Sequence, residues 1–218
     1  LDEAINEIYK EDLIKDQILS SQTIKKPTEE ILENLSKESE KQKLNHHRHV
    51  EGSQFKKFDS MENKTTEDWI KQAETPLFRS KRCKELKKLL SAKVCLDVLY
   101  KNGKTFDEIL KVLETGDGKS SIRKVLRKAK ADRVNTVMAE ISVCGAIPPY
   151  NEVLGGKLVS MLMASPEILE AYNKKYREAE TVIASRMAGR PIVRPPDIGF
   201  LSTTSLYSSG SSQYNRIK

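Results

Sequence analysis

Cysteine is scarce in this sequence. Cys83, Cys95 and Cys144 form an odd, sparse set among 218 residues, which argues against a disulfide framework and for a reducing compartment. Long apolar runs are missing as well. No stretch approaches the roughly 18 residues that a membrane span needs, and no charged-then-apolar leader is recognisable. Ten glycines exclude a collagen-like rod. Apolar residues make up 38% and charged residues 32%, with a mean hydropathy of −0.56. That balance lies between a disordered tail and a compact enzyme domain, so it reads as the average of a polar part and an apolar part. The chain starts at Leu1 rather than Met and ends at Lys218, and it reads as an internal piece of a longer protein.

What the sequence does have is positive charge, unevenly spread. Residues 1–60 hold 10 basic and 13 acidic side chains, residues 61–140 hold 19 and 12, and residues 141–218 hold 9 and 6. The net +7 is therefore concentrated in the middle third. Residues 1–35 read as a helical segment, with Ala4, Ile5, Ile8, Leu13 and Ile14 at roughly helical spacing and Pro27 before Ile31 and Leu35. Residues 36–74 read as a polar linker, too poor in apolar residues to offset a chain entropy of about 1–2 kcal/mol per residue. Residues 75–135 read as a basic helical region. Helices are predicted over Lys84–Tyr100, ended by Asn102-Gly103, and over Thr105–Leu113, with a third capped by Ser121. From Val137 to Ala146 the period changes to two, as in a strand. Gly155-Gly156 then opens an apolar helix, Ser165-Pro166-Glu167 starts another, and Ile198–Leu201 reads as a second strand. Residues 136–218 thus follow α/β logic. No internal repeat is visible.

Four constellations could carry chemistry. The first is the basic helix, where Lys119, Arg123, Lys124, Arg127, Lys128, Lys130 and Arg133 are accompanied by a single acid, Asp132. An equally dense run precedes it: Arg79, Lys81, Arg82, Lys84, Lys87, Lys88 and Lys93. Cations along a rigid face match phosphates and gain affinity by releasing counterions. A helix, a glycine turn over Gly116–Lys119 and a basic second helix also loosely fit a helix-turn-helix. The plainer alternatives are a solvated face or a protein-binding one. The second is Asn151 with Gly155, Gly156 and Lys157, where a helix N-terminus would favour the pyrophosphate of an acyl-CoA or nucleotide; two glycines serve equally well as a tight packing turn. The third is the proline-rich segment with Arg186, Arg190 and Arg194, whose guanidinium forks suit phosphate or carboxylate. These arginines could equally tie Asp197 or Glu152. The fourth is the hydroxyl-rich C-terminal stretch, in which Tyr207 and Tyr214 are candidate catalytic residues. His46, His47 and His49 lack a known metal spacing, so no metal is expected. Cys144 suits packing better than nucleophilic attack.

Several phrases also carry a resemblance. Cys144–Asn151, Leu154–Val159, Ser165–Glu167, Ile183–Pro191, Val193–Pro195, Thr203–Tyr207 and Ser211–Arg216 resemble the DruA family of the Druantia anti-phage defence system. Leu77–Arg82 with Leu86, Leu89 and Leu90 is similar to that family's upstream helix. The resemblance spans roughly residues 75–218 and implies an acetyltransferase-like (GNAT-like) strand–glycine turn–helix–strand core of α+β or α/β class. In detail the sequence departs from the acyl-CoA loop. Lys157 stands where a glycine or alanine is needed, and Glu152 puts an acid beside the pyrophosphate, a penalty of about a kcal/mol or more.

The resulting expectation is a cytoplasmic defence component that contacts nucleic acid through Arg123, Lys124, Arg127, Lys128, Lys130, Arg186, Arg190 and Arg194. Two alternatives stand beside it. One is an N-acyltransferase that uses acyl-CoA at the Gly155-Gly156 turn. The other is a non-catalytic assembly subunit for a defence helicase, without membrane contact.

Overall fold

A computed structural model describes residues 1–51, 65–100, 105–142, 149, 153 and 156–203. The chain divides into two units, residues 1–130 with 180–192 and residues 131–179 with 193–218.

In the first unit the N-terminal residues break into three short helices, α1 (Asp2–Glu7), α2 (Glu11–Lys15) and α3 (Ser21–Lys25). α3 starts at a reciprocal cap between Ser20 and Thr23. They wrap a pair of long helices, α4 (Glu29–Glu51) and α6 (Pro76–Tyr100), with α5 (Thr66–Ala73) between the two in sequence. Thr65 and Asp68 cap α5 in the same reciprocal way. The core joins Ile5, Ile8, Leu13 and Leu19 to Ile31 and Leu35 of α4 and to Cys83, Leu86, Leu89 and Leu90 of α6. Burial pushes the Cys83 thiol up to about 12, so it acts as a small core residue and not as a nucleophile.

Much of the stretch expected to be a linker is therefore helix. α4 continues its buried stripe from Ile31 and Leu35 with polar residues, and α6 satisfies them. Arg79 Nε donates to Glu38 at 2.8 Å, Ser80 Oγ donates to the Ser39 carbonyl at 2.7 Å, and Lys87 Nζ donates to Ser36 Oγ at 2.9 Å. As α4 advances from Ser36 to Ser39 its partners retreat from Lys87 to Ser80, so the two helices are antiparallel.

α7 (Phe106–Glu114) follows a Thr105–Glu108 capping box, and α8 (Gly116–Val137) follows at once. The residues expected to form a glycine turn, Gly116–Lys119, are the first turn of α8. The single residue Thr115 separates the helices, and its hydroxyl accepts from the Gly118 N–H at 3.0 Å. Ser121, expected as a cap, lies buried inside α8.

The second unit holds β1 (Met138–Ile141), α9 (Gly156–Leu162), α10 (Pro166–Tyr176) and β2 (Phe200–Thr203). Ser165 precedes Pro166 at the start of α10, as expected. β1 and β2 pair in parallel, with Met138 opposite Phe200 and Ile141 opposite Thr203. α11 (Val182–Ala188) belongs to the first unit.

This arrangement corrects the expected acetyltransferase-like core. Among the described residues the sheet has two strands of four residues each, and the remainder is mostly helix. Period two extends from Val137 to Ala146 in sequence; β1 covers Met138–Ile141 of it, and residues 143–146 lie outside the described residues. Met138, Glu140 and Phe200 are exposed, whereas the parallel sheet of an α/β core is covered on both faces. Among the described residues no helix is long and apolar enough to cross a membrane.

Candidate nucleic-acid interface

α8 has two faces of different character. At about 100° per residue, Lys119, Arg123, Leu126, Arg127 and Lys130 fall within roughly 100° of arc, and all five are exposed. Residues 118–131 include no Asp or Glu, and the acids of this helix are Asp117 and Asp132, on either side of that stretch. Lys124 and Lys128 lie on the opposite side with the buried Ser121. Lys124 Nζ sits 3.3 Å from Ser91 Oγ, and Lys128 Nζ pairs with Glu7 at 3.1 Å. These two tie α8 to α6 and α1 and so fix its rotation. Of the cations expected at the interface, the structure thus turns Arg123, Arg127 and Lys130 outward, with Lys119 beside them, and gives Lys124 and Lys128 anchoring contacts.

The earlier basic run is largely consumed inside the protein. Arg82 is fully buried and forms a fork with the Asp12 carboxylate at 2.8 and 2.6 Å. It also donates to the carbonyls of Tyr9 at 2.6 Å and Ala73 at 2.9 Å, and its guanidinium lies 5.1 Å from the centre of the Tyr9 ring. Arg79 joins Asp16 at 2.6 Å and Glu38 at 2.8 Å. Burial pulls the Arg79 guanidinium down, but Asp16, Glu38 and Asp12 outweigh it and hold the group above its ordinary range. Lys93 pairs with Asp2 at 2.7 Å, and that hydrogen bond lowers the Asp2 carboxyl. Tyr9 donates its hydroxyl to Glu74 at 3.0 Å; burial first, then that carboxylate, pushes the phenol up to about 12.

This polar network was not foreseen from sequence, although one signal was present. Phe78, Arg82, Leu86 and Leu90 follow each other at steps of four, which places a cation on the apolar stripe of its helix. A charge there needs a buried partner.

The remaining candidates fall only partly among the described residues. Asn151, Gly155, Tyr207, Tyr214 and Cys144 lie outside the described residues. Gly156 and Lys157 open the seven-residue α9, and the acyl-CoA expectation loses the scaffold on which it stood. Arg186 and Arg190 fall in the first unit and Arg194 in the second. Arg186 lies over Phe78, with its guanidinium 5.2 Å from the ring centre, and burial lowers its pKa. Asp197, a proposed tie for these arginines, accepts from Asn173 Nδ2 at 2.8 Å.

Residues 123–218 match the family described as Druantia protein DruA. The Druantia protein DruA of Escherichia coli strain UMEA 4076-1 is 34% identical over 91 residues. These residues belong to the DruA family. The DruA-family segment opens inside α8, so it carries three of the four outward cations, Arg123, Arg127 and Lys130, and it continues through α9, α10, α11 and both strands. The matched stretch is 41% of this chain and 20% of the DruA relative, so the chain spans about a fifth of that protein's length. No solved structure matches the chain.

Proposed function

We propose that this chain is a component of a Druantia-type anti-phage system and that it contacts nucleic acid through the outward face of α8. Its DruA-family segment supports the first part. The observation that carries the second is the arc of Lys119, Arg123, Arg127 and Lys130, exposed together on a helix whose other side is tied down by Lys124 and Lys128. Phosphates are the partner that such an arc suits, because each neutralised phosphate releases condensed counterions. Other proteins of the same defence system are the natural further partners.

The test is affinity for DNA at several salt concentrations, read by fluorescence anisotropy on the full 218-residue chain. The Arg123→Glu/Arg127→Glu/Lys130→Glu variant should bind more weakly, and its log–log salt slope on duplex DNA should fall by about 0.9 for each phosphate no longer neutralised. Lys41→Glu/Lys43→Glu, which alters exposed cations on α4, should change binding far less. Equal weakening in both variants, or none in the first, would remove α8 as the interface.

A further inference from the structure

We infer that the partner of the α8 face is duplex DNA in the B form, with α8 lying in its major groove; this rests on the nucleic-acid reading above. Three observations narrow the ligand. First, residues 116–137 contain no Phe, Tyr or Trp. Proteins that hold single strands stack bases on aromatic side chains, at about 1–3 kcal/mol per base, and α8 offers no such platform.

Second, the cations extend along the helix rather than gathering in a knot. From Lys119 to Lys130 the axial distance is about 16 Å at 1.5 Å per residue, and the side chains along that line are exposed. A helix with its side chains is about 10–12 Å across. The major groove of B-DNA, about 12 Å wide, admits that cylinder. The deep, narrow major groove of an RNA duplex does not.

Third, Leu126 borders the cations at one edge of the arc and is 62% exposed. A face built only for phosphates has no use for an apolar side chain exposed along its edge. At the floor of a major groove such a side chain meets the C5-methyl of thymine, while flanking arginines reach phosphates or guanine edges. The inward ties of Lys124 and Lys128 turn Leu126 away from α6 and α1.

The experiment uses the full chain with three fluorescent probes of one sequence at equal salt: a DNA duplex, its single strand and the corresponding RNA duplex. The DNA duplex should bind about tenfold more tightly than either of the others. Leu126→Ala, a change at an exposed position that alters no charge, should weaken duplex binding about fivefold while leaving the salt slope unchanged. Equal or tighter binding of the single strand or of RNA overturns the duplex assignment and leaves nucleic-acid contact standing. Unchanged affinity of Leu126→Ala overturns the groove placement. No binding of any probe overturns both the inference and the reading beneath it.

Discussion

Arg82 is a cation with no water around it. Its charge is tolerable because Asp12 accepts two hydrogen bonds from it and two backbone carbonyls take the rest of the fork. Removing one member of a buried pair leaves the other stranded, and typically destabilises by about 3–5 kcal/mol. Asp12→Ala should therefore lower the free energy of unfolding by about that amount, read as a shift in denaturant midpoint without a change in slope. Lys37→Ala, whose pair with Glu33 is solvent-exposed at 4.0 Å, should change it by less than about 1 kcal/mol. At this scale the sequence was partly legible. The density of cations in α6 was plain, but whether each meets solvent or a carboxylate depends on residues far away in the chain. Asp12 and Arg82 are brought together by packing that no local pattern encodes.

The elements show where local signals suffice and where they do not. Thr105 and Pro166 mark helix starts in sequence and in structure alike, because a cap and an N-terminal proline act within one turn, whereas Ser165 stands at the N-cap position of α10 without a side-chain cap bond. α4 was harder to see, since Glu38 and Ser39 occupy its inward positions and only α6 makes them acceptable there. The order strand, glycines, helix and strand gave the α/β expectation, and the family resemblance made it GNAT-like; order alone does not say how many strands will find partners. α11 ends on Gly189, whose φ of 65° lies in the left-handed region. A Cβ there would also sit 2.8 Å from the Tyr9 ring. Gly189→Ala should consequently destabilise the first unit by about 1–2 kcal/mol from backbone conformation, and by more where the ring cannot shift. Thermal unfolding would measure it, with Gly116→Ala, which meets nothing within 4 Å, as the comparison.

Across the whole molecule, the boundary of the family match and the boundary of folding do not coincide. Residues 123–218 carry the DruA likeness, yet α11 packs on α5 and α6 and belongs with residues 1–130. The Met187 carbonyl accepts the Tyr9 N–H at 2.9 Å, so the tie includes backbone as well as side chains. A fragment of residues 123–218 alone should lose hydrogen-exchange protection at Ser185 and the neighbouring α11 amides, whereas the full chain keeps it. Protection in the fragment equal to that in the full chain would show that α11 stands without its N-terminal partners.

The return of α11 to the first unit also sets a timetable. A ribosome makes the chain from its N-terminus at about 5–20 residues per second, and residues 131–179 must be synthesised before Glu180 begins the returning segment. Since α6 ends at Tyr100, the faces of α5 and α6 that receive α11 stand for about 4–16 s already made but with nothing to close them. A nascent chain stalled within that interval would present an incomplete first unit to chaperones and proteases, while one released after Ile192 would present a finished one.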